Sequence, residues 1–164
     1  VAQKYLESHE AAGLVLLASV PPQGLWAAAL GLAFQKPGVM SDLNSLLGGG
    51  RVALDTLRSA MFAQPVTTED LARWYKRMQP ESHRAIWDMT LFNLPLKSRM
   101  TLPPLLVLGA EHDTLIPASQ VEMTARHYGG EAEIFPGMGH GLMLERDWER
   151  PAGRILDWLG EQGL

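Results

Sequence analysis

The chain has 164 residues, of which 46% are hydrophobic and 20% are charged, which is enough for one globular domain with a buried core. Its 14 lysines and arginines against 18 aspartates and glutamates give a formal charge of -4, so no surplus of cations exists to bind a nucleic acid. The chain contains no cysteine, which excludes disulfides and thiolate metal sites, and we expect a cytoplasmic location.

The beginning of the sequence resembles neither a membrane segment nor a signal peptide. The longest apolar runs are residues 14–18 and 25–30, far short of the roughly 20 residues that span a bilayer. The sequence therefore predicts no transmembrane segment. The first residue is Val1, and charged side chains interrupt the first 12 residues, unlike the apolar stretch of a signal peptide. We expect the chain to begin inside a larger protein.

The two ends of the chain show the hydrophobic patterns of an α/β protein. Residues 14–18 and 105–108 are unbroken apolar runs, typical of strands covered on both faces of a parallel sheet, and a short strand is predicted at 132–135. Helices are expected at residues 1–12, around Val121, Ala125 and Tyr128, and at the end of the chain, with Trp148, Ile155, Leu156 and Leu159 on one face. This order predicts the α/β class, with a parallel sheet built by residues 1–21 and 103–164.

Residues 22–102 form a different kind of segment, which we predict to be an all-helical insertion. Its periodic patterns predict helices at 25–35, 41–47, 51–62, 68–78 and 81–90, with Gly24 and residues 48–50 as joints between them. Most of its bulky apolar residues are expected to pack a core. A minority could line an apolar pocket, and the candidates are Trp26, Phe34, Phe62 and Trp87.

An acid and a histidine follow two neighbouring strands of the predicted sheet. Ligands of open α/β sheets bind beyond the carboxyl ends of the strands, where Asp113 and His140 are placed. A carboxylate there could fix the tautomer of the imidazole and stabilise its charged form, which would make His140 a general base. Glu111 is the alternative acid, although it stands closer to the strand end. The structural alternatives are a carboxylate that caps a helix or pairs with Arg126, and a solvated loop histidine.

Metal and phosphate sites are not expected from this sequence. His112 stands beside Asp113, but no second ligand at suitable spacing completes a metal site. The glycines at 48–50 lack the lysine and hydroxyl residue of a phosphate-binding loop. We therefore predict neither a metal nor a cofactor.

Two loops of the chain resemble those of the α/β-hydrolase superfamily. Residues 109–117 (GAEHDTLIP) are similar to the loop that carries the catalytic acid, and residues 135–141 (FPGMGHG) to the loop that carries the histidine. The opening VAQKYLE resembles the helix after the nucleophile elbow, and residues 22–102 match the cap inserted between strands six and seven of that family. The resemblance covers the whole chain. It implies that Asp113 is the triad acid and that His140 is the general base.

The chain departs from this family in one respect. No serine stands in the G-x-S-x-G pattern of a nucleophile elbow. The resemblance therefore implies the C-terminal part of an α/β-hydrolase, with the last three strands of the core sheet and a helical cap. The nucleophile and the oxyanion hole would lie upstream of Val1. We expect this chain to need the missing N-terminal part or to self-associate through the strand edge at residues 14–19.

The resemblance implies an esterase-like or lipase-like enzyme. A serine would attack the carbonyl of a small hydrophobic carboxylic ester in two-step acyl transfer, without a cofactor. Met138 and Met143, which flank His140, are candidates for apolar walls of the substrate site. One alternative is an aspartate nucleophile, as in a dehalogenase or an epoxide hydrolase. Another is a non-catalytic binding module on the same fold.

Overall fold

A three-stranded parallel sheet forms the centre of the structure. The computed structural model describes residues 1–35, 38, 53–79 and 82–164. The strands are β1 (Leu14–Leu17), β2 (Leu105–Ala110) and β3 (Ala132–Phe135), in the order β1-β2-β3. Both pairs are parallel, so the α/β class and the parallel sheet predicted from the sequence are confirmed.

Helices surround the sheet and make up the described part of residues 22–102, in which no strand occurs. They are α1 (Ala2–Tyr5), α2 (Trp26–Gln35), α3 (Leu54–Met61), α4 (Thr68–Tyr75), α5 (His83–Trp87), α6 (Ala118–Tyr128) and α7 (Glu149–Gln162), with a π-helical turn at Asp88–Phe92 and a 3-10 turn at Lys97–Arg99. The helix predicted at 41–47 and the glycines at 48–50 lie outside the described residues. Among the described helices, none has the length and apolar content to cross a bilayer.

The sheet is packed on both faces, because side chains of successive strand residues point to opposite sides. On one face, Leu14, Leu16 and Val107 pack with Leu6, directly after α1, and with residues of α6. On the other face, Leu106 and Leu108 pack with Trp158 of α7. This arrangement fixes β2 between two layers, and its carboxyl end therefore provides a rigid start for the loop that follows.

The first helix is shorter than predicted. The pattern predicts a helix over residues 1–12, but α1 ends at Tyr5, and the chain continues in tighter turns with bonds from Glu7 N to Lys4 O and from Ser8 N to Tyr5 O. The carboxylate of Glu7 accepts bonds from Lys4 Nζ (2.7 Å) and from the backbone N–H of Leu96 (2.7 Å). These bonds lower the pKa of Glu7. A long-range anchor thus replaces the continuation of the helix.

The last helix and the corner at Gly24 also differ in detail from the predictions. Of the four residues predicted to share one face, Ile155 and Leu159 of α7 pack with the buried Trp158, whereas Leu156 and Trp148, the residue before α7, are exposed. Gly24 has a φ of +93°, and a Cβ atom there would lie 2.3 Å from the carbonyl oxygen of Thr90. Gly24 is therefore a closely packed corner between β1 and α2 rather than an open joint.

Candidate active site

The acid and the histidine singled out in the sequence meet at the carboxyl edge of the sheet. Asp113 follows the end of β2, and His140 follows the end of β3. His140 Nδ1 lies 2.9 Å from Oδ2 of Asp113, and the Asp113 side chain is fully buried. The imidazole keeps about a quarter of its surface exposed, at 24%. A buried carboxylate therefore orients a histidine whose second nitrogen, Nε2, is on the opposite side of the ring.

Asp113 is held in place by its own loop. Its Oδ1 accepts hydrogen bonds from the backbone N–H groups of Leu115 and Ile116, each at 2.8 Å. One oxygen of Asp113 thus shapes the turn of its own loop, and the other faces His140. It does not pair with Arg126, which lies 3.6 Å from Glu122.

We call residues 136–144, which carry His140, the histidine loop. Two of its four bulky apolar side chains, Met138 and Leu142, are fully buried and pack with Ala110 at the end of β2. The backbone N–H of His112 donates to the carbonyl of Met138 at 2.9 Å, which extends the pairing of β2 and β3 into the two loops. Met138 thus anchors the histidine loop to the core, and it has no exposed surface that could contact a substrate. Met143 is 58% exposed.

The glycines on both sides of His140 make room for another part of the backbone. We call residues 61–64, from the last residue of α3 into the segment that leads to α4, the connector. A Cβ atom on Gly139 would lie 2.7 Å from Ala63 N, and one on Gly141 would lie 3.1 Å from Met61 O. Gly141 N also donates to Met61 O at 2.6 Å. These glycines therefore permit close packing of the connector against the histidine loop.

A buried glutamate that the sequence analysis missed joins these two segments. Glu145 is 2% exposed, and its Oε1 accepts hydrogen bonds from Ala63 N (2.8 Å) and Gly139 N (2.7 Å). Its Oε2 accepts a third bond from Gln64 N at 3.0 Å. A charged residue directly after the apolar run GLML was the sequence signal that could have pointed to it.

The side chain of Gln64 adds further contacts between the same segments. Its Nε2 donates to Asp147 Oδ2 at 2.9 Å, and its Oε1 accepts from the backbone N–H of Asp147 at 3.0 Å. The hydrogen bond from Arg146, together with the one from Gln64, lowers the pKa of Asp147. The connector is therefore fixed to both the histidine loop and the segment that follows it.

The alternative acid and the neighbouring histidine lie at the surface. Glu111 accepts a bond from the backbone N–H of Gly137 at 2.9 Å and has a side chain that is 52% exposed. His112 is 59% exposed and lies 3.6 Å from Glu111. Within the described ranges, no three histidine, aspartate or glutamate side chains come together as a possible metal site.

The apolar candidates of the insertion are placed differently from one another. Trp26, Phe34 and Trp87 are exposed, and Trp87 lies against Phe92 with ring centroids 6.0 Å apart. Phe62 belongs to the connector, and its ring stacks on Trp74 at 5.5 Å. Of these four aromatic candidates, Phe62 is described close to the histidine loop: a Cβ atom on Gly141 would lie 3.2 Å from its ring.

Two open cavities flank the stacked pair of Phe62 and Trp74. One has a volume of about 220 Å³ and is also lined by Leu144 and Glu145. The other has a volume of about 260 Å³ and is lined by apolar residues of α3 and α4 as well as by Leu144. The cavities therefore lie beside the connector and the end of the histidine loop.

Gln3 and Tyr128 form a second group of buried hydrogen bonds, near the end of β1. Gln3 of α1 donates to Val20 O at 2.8 Å and accepts a hydrogen bond from the hydroxyl of Tyr128 at 2.8 Å. Burial raises the pKa of Tyr128 to about 12. This group fixes α1 and α6 to the end of β1, and neither Gln3 nor Tyr128 has a described contact with His140.

Comparison with known proteins places this geometry in a family. The chain matches solved structures of an esterase from Exiguobacterium antarcticum (20% identity, 97% of this chain and 62% of that one, TM-score 0.65) and of an α/β-hydrolase fold protein from Burkholderia ambifaria (20% identity, 95% and 61%, TM-score 0.53). It also matches a thermophilic esterase (20% identity, 93% and 57%, TM-score 0.53).

The chain thus spans about three-fifths of the length of these structures, and the likeness concerns the fold. No curated protein matches the sequence. The model of the alpha/beta hydrolase family matches residues 1–155, which is nearly the whole chain. The chain therefore belongs to the alpha/beta hydrolase family, as its two loop motifs suggested.

Proposed function

We propose that the chain supplies the acid and the base of a serine-type hydrolase that acts on hydrophobic carboxylic esters. The observation that carries this proposal is the 2.9 Å contact of His140 Nδ1 with the buried carboxylate of Asp113, at the sheet edge where ligands of α/β proteins bind. The carboxylate favours the tautomer with the proton on Nδ1. Nε2 is then free of a proton and can accept one.

The proposed reaction has two steps, each of which uses His140 as a proton carrier. In the first step Nε2 accepts the proton of a serine hydroxyl as its oxygen attacks the ester carbonyl, and it gives that proton to the departing alcohol. In the second step Nε2 accepts a proton from water, whose oxygen attacks the acyl-enzyme, and returns the proton to the serine. Asp113 stabilises the imidazolium in both steps.

The nucleophile and the oxyanion hole belong to residues outside these 164 in this proposal. No serine of the sequence has the G-x-S-x-G context. The chain spans 62%, 57% and 61% of the three structures compared above, which agrees with a contribution from further residues. We propose that those residues come from an N-terminal part; without it, we expect the chain to self-associate along the edge of β1 that no described strand pairs with.

The hydrophobic character of the substrate rests on residues 22–102, which we propose to act as a helical cap. The ring of Phe62 lies beside Gly141 of the histidine loop. The two cavities beside Phe62 are lined mainly by apolar side chains. Met143, with 58% exposure, offers an apolar surface from the loop itself. We propose that the acyl group binds near these side chains, with Trp26, Phe34 and Trp87 as further contributions of the cap.

Labelling with a fluorophosphonate probe tests this proposal on the full-length product of the gene that encodes these residues. The probe reacts with an activated serine, so we expect labelling that His140→Ala abolishes. His112→Ala is the matched control, because His112 stands beside Asp113 but is 59% exposed, and it should leave labelling unchanged. The same protein should hydrolyse p-nitrophenyl esters.

Two other results would contradict the proposal and favour its alternatives. Turnover of haloalkanes or epoxides without labelling would indicate an aspartate nucleophile. A protein that is folded, remains unlabelled and turns over none of these substrates would favour a non-catalytic binding module.

A further inference from the structure

The backbone around His140 is fastened to the insertion on both sides. Behind the histidine, Gly141 N donates to the carbonyl of Met61 at 2.6 Å. In front of it, Gly139 N donates to Glu145, whose carboxylate also holds the connector. Gly141 is thus bonded directly to the connector, and Gly139 is joined to it through Glu145. A shift of that segment would move the backbone of His140.

From this geometry we propose that Glu145 is a positioning residue for His140. Its carboxylate clamps the connector against the histidine loop, so that the placement of α3 and α4 decides where the imidazole lies relative to Asp113. The inference rests on the proposed role of His140 as the base. Its test does not require turnover, and its failure can therefore be told apart from failure of the proposed function.

The chemistry of this position suits a carboxylate. Two of the three N–H groups that bind Glu145 come from the connector, at Ala63 and Gln64, and the third comes from the histidine loop at Gly139. In the described part of the chain Glu145 forms no ion pair, so these donors supply its stabilisation. Two acceptor oxygens without a proton can serve three donors, whereas an amide would turn its NH2 group toward at least one of them.

The hydrogen bonds between Glu145 and the connector lie next to the proposed substrate region. Phe62 of the connector lines both cavities, and so does Leu144, the last residue of the histidine loop. Glu145 itself lines the smaller cavity. An acyl group in these cavities would therefore contact the connector next to the clamp. We therefore expect an acyl group bound in these cavities to affect the position of His140 through the connector and Glu145.

Glu145→Gln in the 164-residue chain tests the proposal by NMR. The glutamine has the same size but keeps only one acceptor oxygen, so at least one of the backbone amides of Ala63, Gln64 and Gly139 should exchange with water about 10-fold to 100-fold faster. The Nδ1 proton of His140, which the bond to Asp113 protects, should broaden or disappear. Glu111→Gln is the control, since Glu111 also accepts a bond from the histidine loop, at Gly137, but has no described contact with the connector. It should change neither signal.

Unchanged amide exchange and an unchanged Nδ1 proton in Glu145→Gln would overturn the proposal. So would equal acceleration of exchange throughout β2, because that pattern describes a general loss of stability. If the glutamine variant does not fold, Glu145→Asp takes its place, since it keeps the charge with a shorter reach. A folded aspartate variant with an unaltered Nδ1 proton would equally overturn the proposal, and selective loss of that proton would support it.

Discussion

Replacing Asp113 by asparagine separates its structural bonds from its bond to His140. The carbonyl oxygen of an asparagine can accept the two loop bonds from Leu115 and Ile116 that Oδ1 accepts at 2.8 Å. Its NH2 group then faces His140 Nδ1, where a carboxylate oxygen lies at 2.9 Å. Because NH2 donates, the imidazole must move its proton to Nε2. The variant therefore folds with the wrong tautomer for a base.

The magnitudes follow from counting these bonds. Asp113→Asn makes its three charge-assisted hydrogen bonds neutral but leaves each partner paired, and because a buried amide costs less desolvation than a carboxylate, the free energy of unfolding should fall by about 1 kcal/mol. Asp113→Ala leaves both loop N–H groups and the imidazole without their acceptor, and it should cost about 2–4 kcal/mol. In a complete enzyme, the wrong tautomer should lower kcat by about 10⁴-fold, as in comparable triads.

Urea unfolding and ¹⁵N NMR of the histidine ring measure the two effects on the 164-residue chain. We expect the proton of His140 on Nδ1 in the unchanged protein and on Nε2 in Asp113→Asn. The reasoning is refuted if the asparagine variant keeps the proton on Nδ1, or if the alanine variant is as stable as the asparagine variant.

Three further predictions concern packing and titration. In urea unfolding, Gly139→Ala should lower the free energy of unfolding by about 1–3 kcal/mol, because the new Cβ would lie 2.7 Å from Ala63 N. The control Gly153→Ala, on α7 with open space around it, should raise that free energy by about 0.5–1 kcal/mol. Tyr128 should ionise near pH 12 in an absorbance titration, and a transition at pH 10 would contradict its burial. Because the pKa of Tyr128 in the folded chain is raised above the ordinary value of about 10, its contribution to stability is present below pH 10 and is lost as the pH rises toward 12. Burial lowers the pKa of His127, so its stabilising contribution is present above about pH 6.5 and lost below it, and an NMR titration midpoint above that value would disprove this.

The sheet and the acid-histidine pair could be predicted because local sequence signals them. The apolar runs of β1 and β2 are covered on both faces, and loops at the carboxyl ends of neighbouring parallel strands necessarily meet at one edge. The positions of Asp113 and His140 follow from that rule. The N-cap of α4 is a local contact of the same kind, since Thr67 Oγ1 accepts a hydrogen bond from the backbone N–H of Asp70 at 3.1 Å.

The contacts that the sequence could not reveal join distant segments. Glu145 binds residues about 80 positions earlier in the chain, and no spacing rule announces such a bond. The same holds for Glu7, whose bond to the N–H of Leu96 accompanies the early end of α1. On α7, Trp158 packs with Leu106 and Leu108 of β2, which is again a contact between segments far apart in the chain.

The central claim is that Asp113 and His140 form the acid and base pair of an ester hydrolase. The most direct measurement is the steady-state hydrolysis of p-nitrophenyl butyrate by the full-length gene product and by its His140→Ala variant, with the 164-residue chain assayed alongside. We expect kcat to fall by several orders of magnitude in the variant without unfolding, and we expect no turnover above background by the chain alone. Loss of only a few-fold, or turnover by the 164-residue chain that His140→Ala abolishes, would contradict this claim.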